Sequence, residues 1–108
     1  MSETTQSMEC RAYVVDTSRS PECVWKPVAI DAVRLTDAFW EPRIRRNREQ
    51  TIPSQLRQCE ETGRIDNFRR AAGKKQGPFQ GIFFNDSDVY KWAEAAANSL
   101  AEIGRAHV

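Results

Sequence analysis

The chain has 108 residues, a formal net charge of +1, 40% apolar side chains and 29% charged ones. That is enough for one small domain of ordinary soluble composition, and so small a net charge gives no overall pull toward nucleic acid or an anionic membrane. No run approaches the roughly 20 apolar residues of a membrane span. The polar opening, Met1 to Glu9, also lacks the basic-then-apolar pattern of a secretion signal, so the expected location is cytoplasmic.

Residues 1–26 hold Ser, Thr and a Ser-Pro step and read as an irregular arm, with at most a brief strand over Ala12 to Val15. Residues 28–35, rich in β-formers with partial alternation, predict an extended segment or edge strand. A helix follows. Thr36 or Asp37 can cap it, because a short side-chain oxygen accepts from the free N–H groups of the first turn, and Pro42 fits that turn. Ile44, Ile52, Leu56 and Cys59, spaced by eight, four and three, form one apolar stripe. Pro53 interrupts it and predicts a kink or a split, since proline removes a donor and clashes with the preceding turn.

Gly63 reads as a stop. Ile65 to Ala72 predicts a short helix, and 73–81 a loop with three glycines and Pro78. The last element starts at Asp86-Ser87-Asp88. Val89, Trp92, Ala93, Ala96 and Leu100 then follow at helical spacing along an Ala-rich run. The expected class is therefore mainly α, with an extended N-terminal arm. The apolar stripes face little else in so short a chain, and isolated helices of this length are marginal in water.

Two constellations carry candidate chemistry. In Asn85-Asp86-Ser87-Asp88, Asp86 or Ser87 can cap the helix while Asp88 complements its dipole. The same carboxylates can instead serve a site, although residues two apart on a helix point to nearly opposite sides. The second is a basic tract, Arg43 to Lys75, with ten Lys and Arg against four Asp and Glu. Such a tract suits phosphates, and it also describes a solvated helix face. Gly73, Gly77 and Gly81 match no phosphate-loop spacing. The single histidine, His107, leaves no Ser-His-Asp or Cys-His set. The cysteines, Cys10, Cys23 and Cys59, are odd in number and form no CxxC pair, which argues against a disulfide framework or a zinc knuckle and predicts unreactive small hydrophobes, Cys10 and Cys23 on the arm and Cys59 on the apolar side of a helix.

The residues themselves carry a resemblance. Val33 to Trp40, Pro42-Arg43-Ile44, Arg46-Asn47-Arg48, Thr51-Ile52-Pro53 and Gly63 to Phe68 resemble the opening of the bacterial-type β-L-arabinofuranosidase family, glycoside hydrolase family 127. The most specific run is Phe79-Gln80-Gly81 followed by Phe84 to Trp92. The resemblance covers about residues 27–101 and implies the first helices of an (α/α)6-barrel catalytic domain, incomplete over 27–102. It also implies retaining hydrolysis of terminal β-L-arabinofuranosyl residues of glycans by the full-length enzyme. In the family a zinc-bound cysteine thiolate is the nucleophile and a glutamate the acid/base, which suits attack on an anomeric carbon. Those ligands lie far downstream of this region. The expectation is thus no catalytic residue, metal ligand or cofactor within this chain, which by itself is inactive. In the family context Asn85, Asp86 and Asp88 are expected to line or buttress the sugar pocket, while Val89 and Trp92 pack between helices.

Residues 103–108, Ile-Gly-Arg-Ala-His-Val, match one translated frame of a widely used sequencing adapter, which ends there in a stop codon, and predict a non-native tail. Three readings stand at this stage. One is a fragment of an arabinofuranosidase-like hydrolase. The others are a small basic helical module binding nucleic acid or a protein, and a genuine short protein using the helices as an interaction surface.

Overall fold

The structure, a computed structural model, describes residues 11–103. Cys10, His107 and residues 104–108 of the expected tail lie outside the described residues. Among the described residues the chain is helical and has no strand. Its order is a 3-10 turn at Ile30–Ala32, then α1 (Trp40–Arg46), a π-helical turn (Asn47–Thr51), α2 (Ile52–Glu61), α3 (Arg64–Ala71) and α4 (Asp86–Ile103).

No strand forms near Ala12, and of the two alternatives over 28–35 the edge strand does not form, while the backbone is extended on either side of a short turn, with Val33 at φ −118° and ψ 128°. A strand needs a neighbour for its N–H and C=O groups. Only one backbone bond, Ile30 N–H to the Ala12 carbonyl at 2.9 Å, joins these two stretches. The second stretch instead closes the short turn at Ile30–Ala32, which packs on α4.

Helix α1 starts as its sequence directs. Asp37 Oδ2 accepts from the N–H groups of Phe39 and Trp40 at 3.0 and 2.8 Å, satisfying two donors that have no helical partner. Those bonds hold the Asp37 carboxyl below the usual carboxylate range, the Trp40 N–H contributing most. The split expected at Pro53 takes the form of a π turn. The Ile52 N–H reaches back to the Asn47 carbonyl, which widens the helix just before the ring that would otherwise crowd it. Gly63 ends α2 in the left-handed region, at φ 77°, where a side chain would be strained.

Charged side chains bridge α2 and α3. Arg69 of α3 forks onto Glu60 of α2 at 2.6 and 2.7 Å and also reaches Asp66 at 2.9 Å, and Lys75 completes the group on Asp66. The loop at 73–81 is clamped by a carboxamide. Asn67 Nδ2 donates to the Gln80 carbonyl at 2.8 Å, and the Gln80 N–H donates to Asn67 Oδ1 at 2.9 Å, as a neighbouring strand would. Helix α4 then lies across both partners. Phe68 and Tyr90 meet edge to face at 5.7 Å, and the Trp92 indole donates to the Ile52 carbonyl.

The resulting interior is thin. Ala29, Ile52 and Cys59 are the buried apolar residues, Cys59 as expected, and no side chain among the described residues is fully enclosed. Phe83 is 86% exposed and Leu100, on the predicted stripe, 70%. The radius of gyration is 18.9 Å, against about 13 Å for a compact domain of roughly this length. The helices pack on one another along their edges and leave apolar faces open, as the stranded stripes predict.

Candidate functional site

Helix α4 begins against the turn at 82–85. The Ser87 and Asp88 N–H groups donate to the carbonyls of Phe84 and Asn85 at 3.1 and 3.3 Å. The side-chain cap expected from Asp86 or Ser87 is therefore absent, because backbone carbonyls of the turn already take the first donors. Asp86 and Ser87 are left half-exposed, without a side-chain hydrogen bond among the described residues.

The three candidate residues do not converge on one point. Asn85 is buried beneath Gly81, whose φ of 90° lets the backbone lie flat on the carboxamide, and a Cβ built there would collide with it. Asp88, three residues on, shares that side of the helix. Asp86 lies about 200° around the axis from Asp88 at 100° per residue. Asp88 alone reaches a neighbouring element, its Oδ2 accepting from Arg64 Nε at 2.7 Å.

That ion pair forms one wall of a cleft of about 560 Å³ between α2 and α4. Helix α4 contributes Asp88, Lys91, Trp92 and Ala95, one helical face at spacings of three, four and seven. Helix α2 contributes Gln55, Gln58 and buried Cys59 from the opposite side. Arg64 also lines the cleft, and its Nη1 donates to Thr62 Oγ1 at 2.7 Å while that hydroxyl donates on to the Gln58 carbonyl at 2.6 Å. The guanidinium is thus held from two directions.

Of the residues lining this cleft, sequence reasoning had singled out Asp88 for a site, had counted Arg64 only within the basic tract, and had given no role to Gln55, Gln58 or Lys91. A local signal existed for one of them: Arg64 directly follows the Gly63 stop, so its side chain necessarily starts a new helix beside the old one. No periodicity announces the glutamines, which sit beside the apolar stripe of α2. Half of the basic tract is paired: Arg48 with Glu49, Arg57 with Glu61, Arg64 with Asp88, Arg69 with Glu60 and Asp66, and Lys75 with Asp66, while Arg43, Arg45, Arg46, Arg70 and Lys74 make no ion pair among the described residues. Arg69 holds Glu60 below the usual carboxylate range, and Lys75 followed by Arg69 does the same to Asp66. No described helix is long and apolar enough to cross a membrane.

Comparison with known proteins gives one family. A model described as "Beta-L-arabinofuranosidase, GH127 catalytic domain" matches residues 32–107. A relative named "Non-reducing end beta-L-arabinofuranosidase", from Bifidobacterium longum subsp. longum, is 51% identical over 37 residues, covering 34% of this chain. The matched stretch spans 6% of that relative's length. No solved structure matches the chain.

Proposed function

The chain belongs to the β-L-arabinofuranosidase family GH127, and from that premise we propose that it is the opening part of the catalytic domain of a longer, retaining glycoside hydrolase. The substrate class is a glycan ending in β-L-arabinofuranosyl residues, and the helices α1 to α4 are the first of an (α/α)6 barrel. The observation that carries this reading is the catalytic-domain match over 32–107, which takes in all four helices. The open apolar faces of α4 support it, since a barrel supplies the helices that cover such faces.

In this reading the start of α4 stands at the substrate end. Asp88 accepts from a sugar hydroxyl through the carboxylate oxygen that Arg64 leaves free, and Asn85 buttresses it from beneath the Gly81 turn. Asp86 serves the opposite flank of the same helix start. Zinc belongs to the family's chemistry, and the described residues give it no seat. Among them no group of three or more His, Cys, Asp or Glu could hold an ion, and Cys59 is buried in α2 while Cys23 stands exposed on the arm. The proposal leaves the ion, the nucleophile and the acid/base to residues other than those described.

The coding region read onward from codon 102 tests this. An open frame that continues into further helices and cysteines, and that releases L-arabinose from β- but not α-linked terminal furanosides when expressed, is the expected result. A genomic frame that closes at codon 108, with no further helices encoded, overturns it.

A further inference from the structure

The cleft between α2 and α4 has a chemistry of its own, only partly used above. Arg64 spends Nε on Asp88 and Nη1 on Thr62, which leaves Nη2 without a protein partner among the described residues. Asp88 spends Oδ2 on Arg64 and leaves Oδ1. The pair is only partly exposed, the side chains at 28% and 45%, so both groups are oriented before any ligand arrives. A fixed donor and a fixed acceptor thus sit side by side, which is what two adjacent hydroxyls require, each being donor and acceptor at once.

The rest of the cleft agrees. The Trp92 indole is anchored by its N–H on the Ile52 carbonyl at 2.9 Å, so its ring is a rigid apolar wall. Gln55 and Gln58 face it with neutral carboxamides that both donate and accept. A volume of about 560 Å³ lies in the ordinary range for small-molecule sites, roughly 300–1,000 Å³. Lys91 also lines the cleft, so its cations outnumber the Asp88 carboxylate by one and inorganic phosphate is the competitor to measure against.

We infer that this cleft is a carbohydrate subsite in which Arg64 and Asp88 together grip two neighbouring hydroxyls of a neutral furanosyl sugar while Trp92 supports its apolar face. The assignment rests on the carbohydrate reading above and extends it to Arg64, Gln55, Gln58 and Trp92, outside the 85–88 segment. Arg64 becomes a binding residue, and Asp88 works through the pair rather than alone.

The test is a titration of the 15N-labelled 108-residue chain with methyl β-L-arabinofuranoside, followed at Arg64 Nε–H and the Trp92 indole N–H. Both resonances move together, with a Kd on the order of 1–10 mM, a weak monosaccharide affinity. Arg64→Lys keeps the charge but loses the fork and weakens binding about tenfold, the worth of one good hydrogen-bonded contact. Asp88→Asn keeps the shape and does the same, so a failure of one variant to fold leaves the other. Movement of neither resonance overturns the inference, and so does an equal response to inorganic phosphate. The two proposals fail separately. If the continuing frame yields a hydrolase whose KM ignores Arg64→Lys while its Tm falls, the subsite is lost and the enzyme reading stands. If the sugar shifts both resonances but no hydrolase is encoded, the subsite stands and the enzyme reading is lost.

Discussion

The indole N–H of Trp92 donates to the main-chain carbonyl of Ile52 at 2.9 Å, joining the middle of α4 to the first residue of α2 across 40 residues of sequence. Ile52 precedes Pro53, and its own N–H has slipped into the π turn. The contact therefore ties α4 to the one place where the preceding helix is irregular. Trp92→Phe keeps most of the packing and removes the donor. The expected loss is about 1 kcal/mol, the usual net worth of such a bond. Urea unfolding followed by circular dichroism reads it, and an unchanged midpoint would show that the contact does not hold α4 in place.

Gly63 is buried and left-handed, and a Cβ added there would lie 2.8 Å from Gln80 Oε1. Gly63→Ala is expected to cost about 1–2 kcal/mol, most of it from the backbone conformation. The clash is with the end of a flexible side chain, so adding Gln80→Ala should recover little. Full recovery in the double variant would place the cost in the side chain instead.

Asn67 pairs with both backbone groups of Gln80 and accepts from Arg70 at 3.0 Å. Asn67→Asp keeps the acceptor and turns the donor into a lone pair facing the Gln80 carbonyl. A loss of roughly 1–3 kcal/mol is expected, the penalty for leaving a polar group facing no partner. Amide exchange at Gln80 should quicken in step with it. Protection at Gln80 that survives the change would mean the loop at 73–81 is held by something else.

Glu60 and Asp66 titrate below the ordinary carboxylate range because Arg69 and Lys75 bond to their ionised forms. A carboxyl lowered on folding contributes stability that is complete above its unfolded value, roughly 4, and is lost as pH falls through its folded value. Helicity of the α2–α3 pair is therefore expected to hold from neutral pH down to about 4 and to fall below it. Asp66→Asn should flatten that fall. An acid transition of the same depth in Asp66→Asn would assign it to other groups.

Much of the helical plan was legible in the sequence, residue by residue. Asp37 announced the start of α1, Pro53 the break before α2, and Gly63 the end of α2, because each acts through its own backbone constraint and needs no distant partner. The edge-strand alternative over 28–35 failed for the complementary reason, although the backbone flanking the Ile30–Ala32 turn is extended. A strand exists only if another lies beside it, and alternation within eight residues carries no information about that partner. Capping at Asp86 or Ser87 failed likewise, since the turn at 82–85 filled the donors first.

By itself, then, the sequence determined the class of the chain, the ends of its helices and, through the run from Phe79 to Trp92, its family. Those properties depend on torsion preferences and side chains a few residues apart. The tertiary structure alone decided which polar groups meet. It set Arg64 against Asp88, 24 residues away, Arg69 against Glu60 across the Gly63 turn, and Trp92 against Ile52. Such pairings follow from the angles at which helices cross, and those angles are set by many packed side chains together, so no local stretch encodes them.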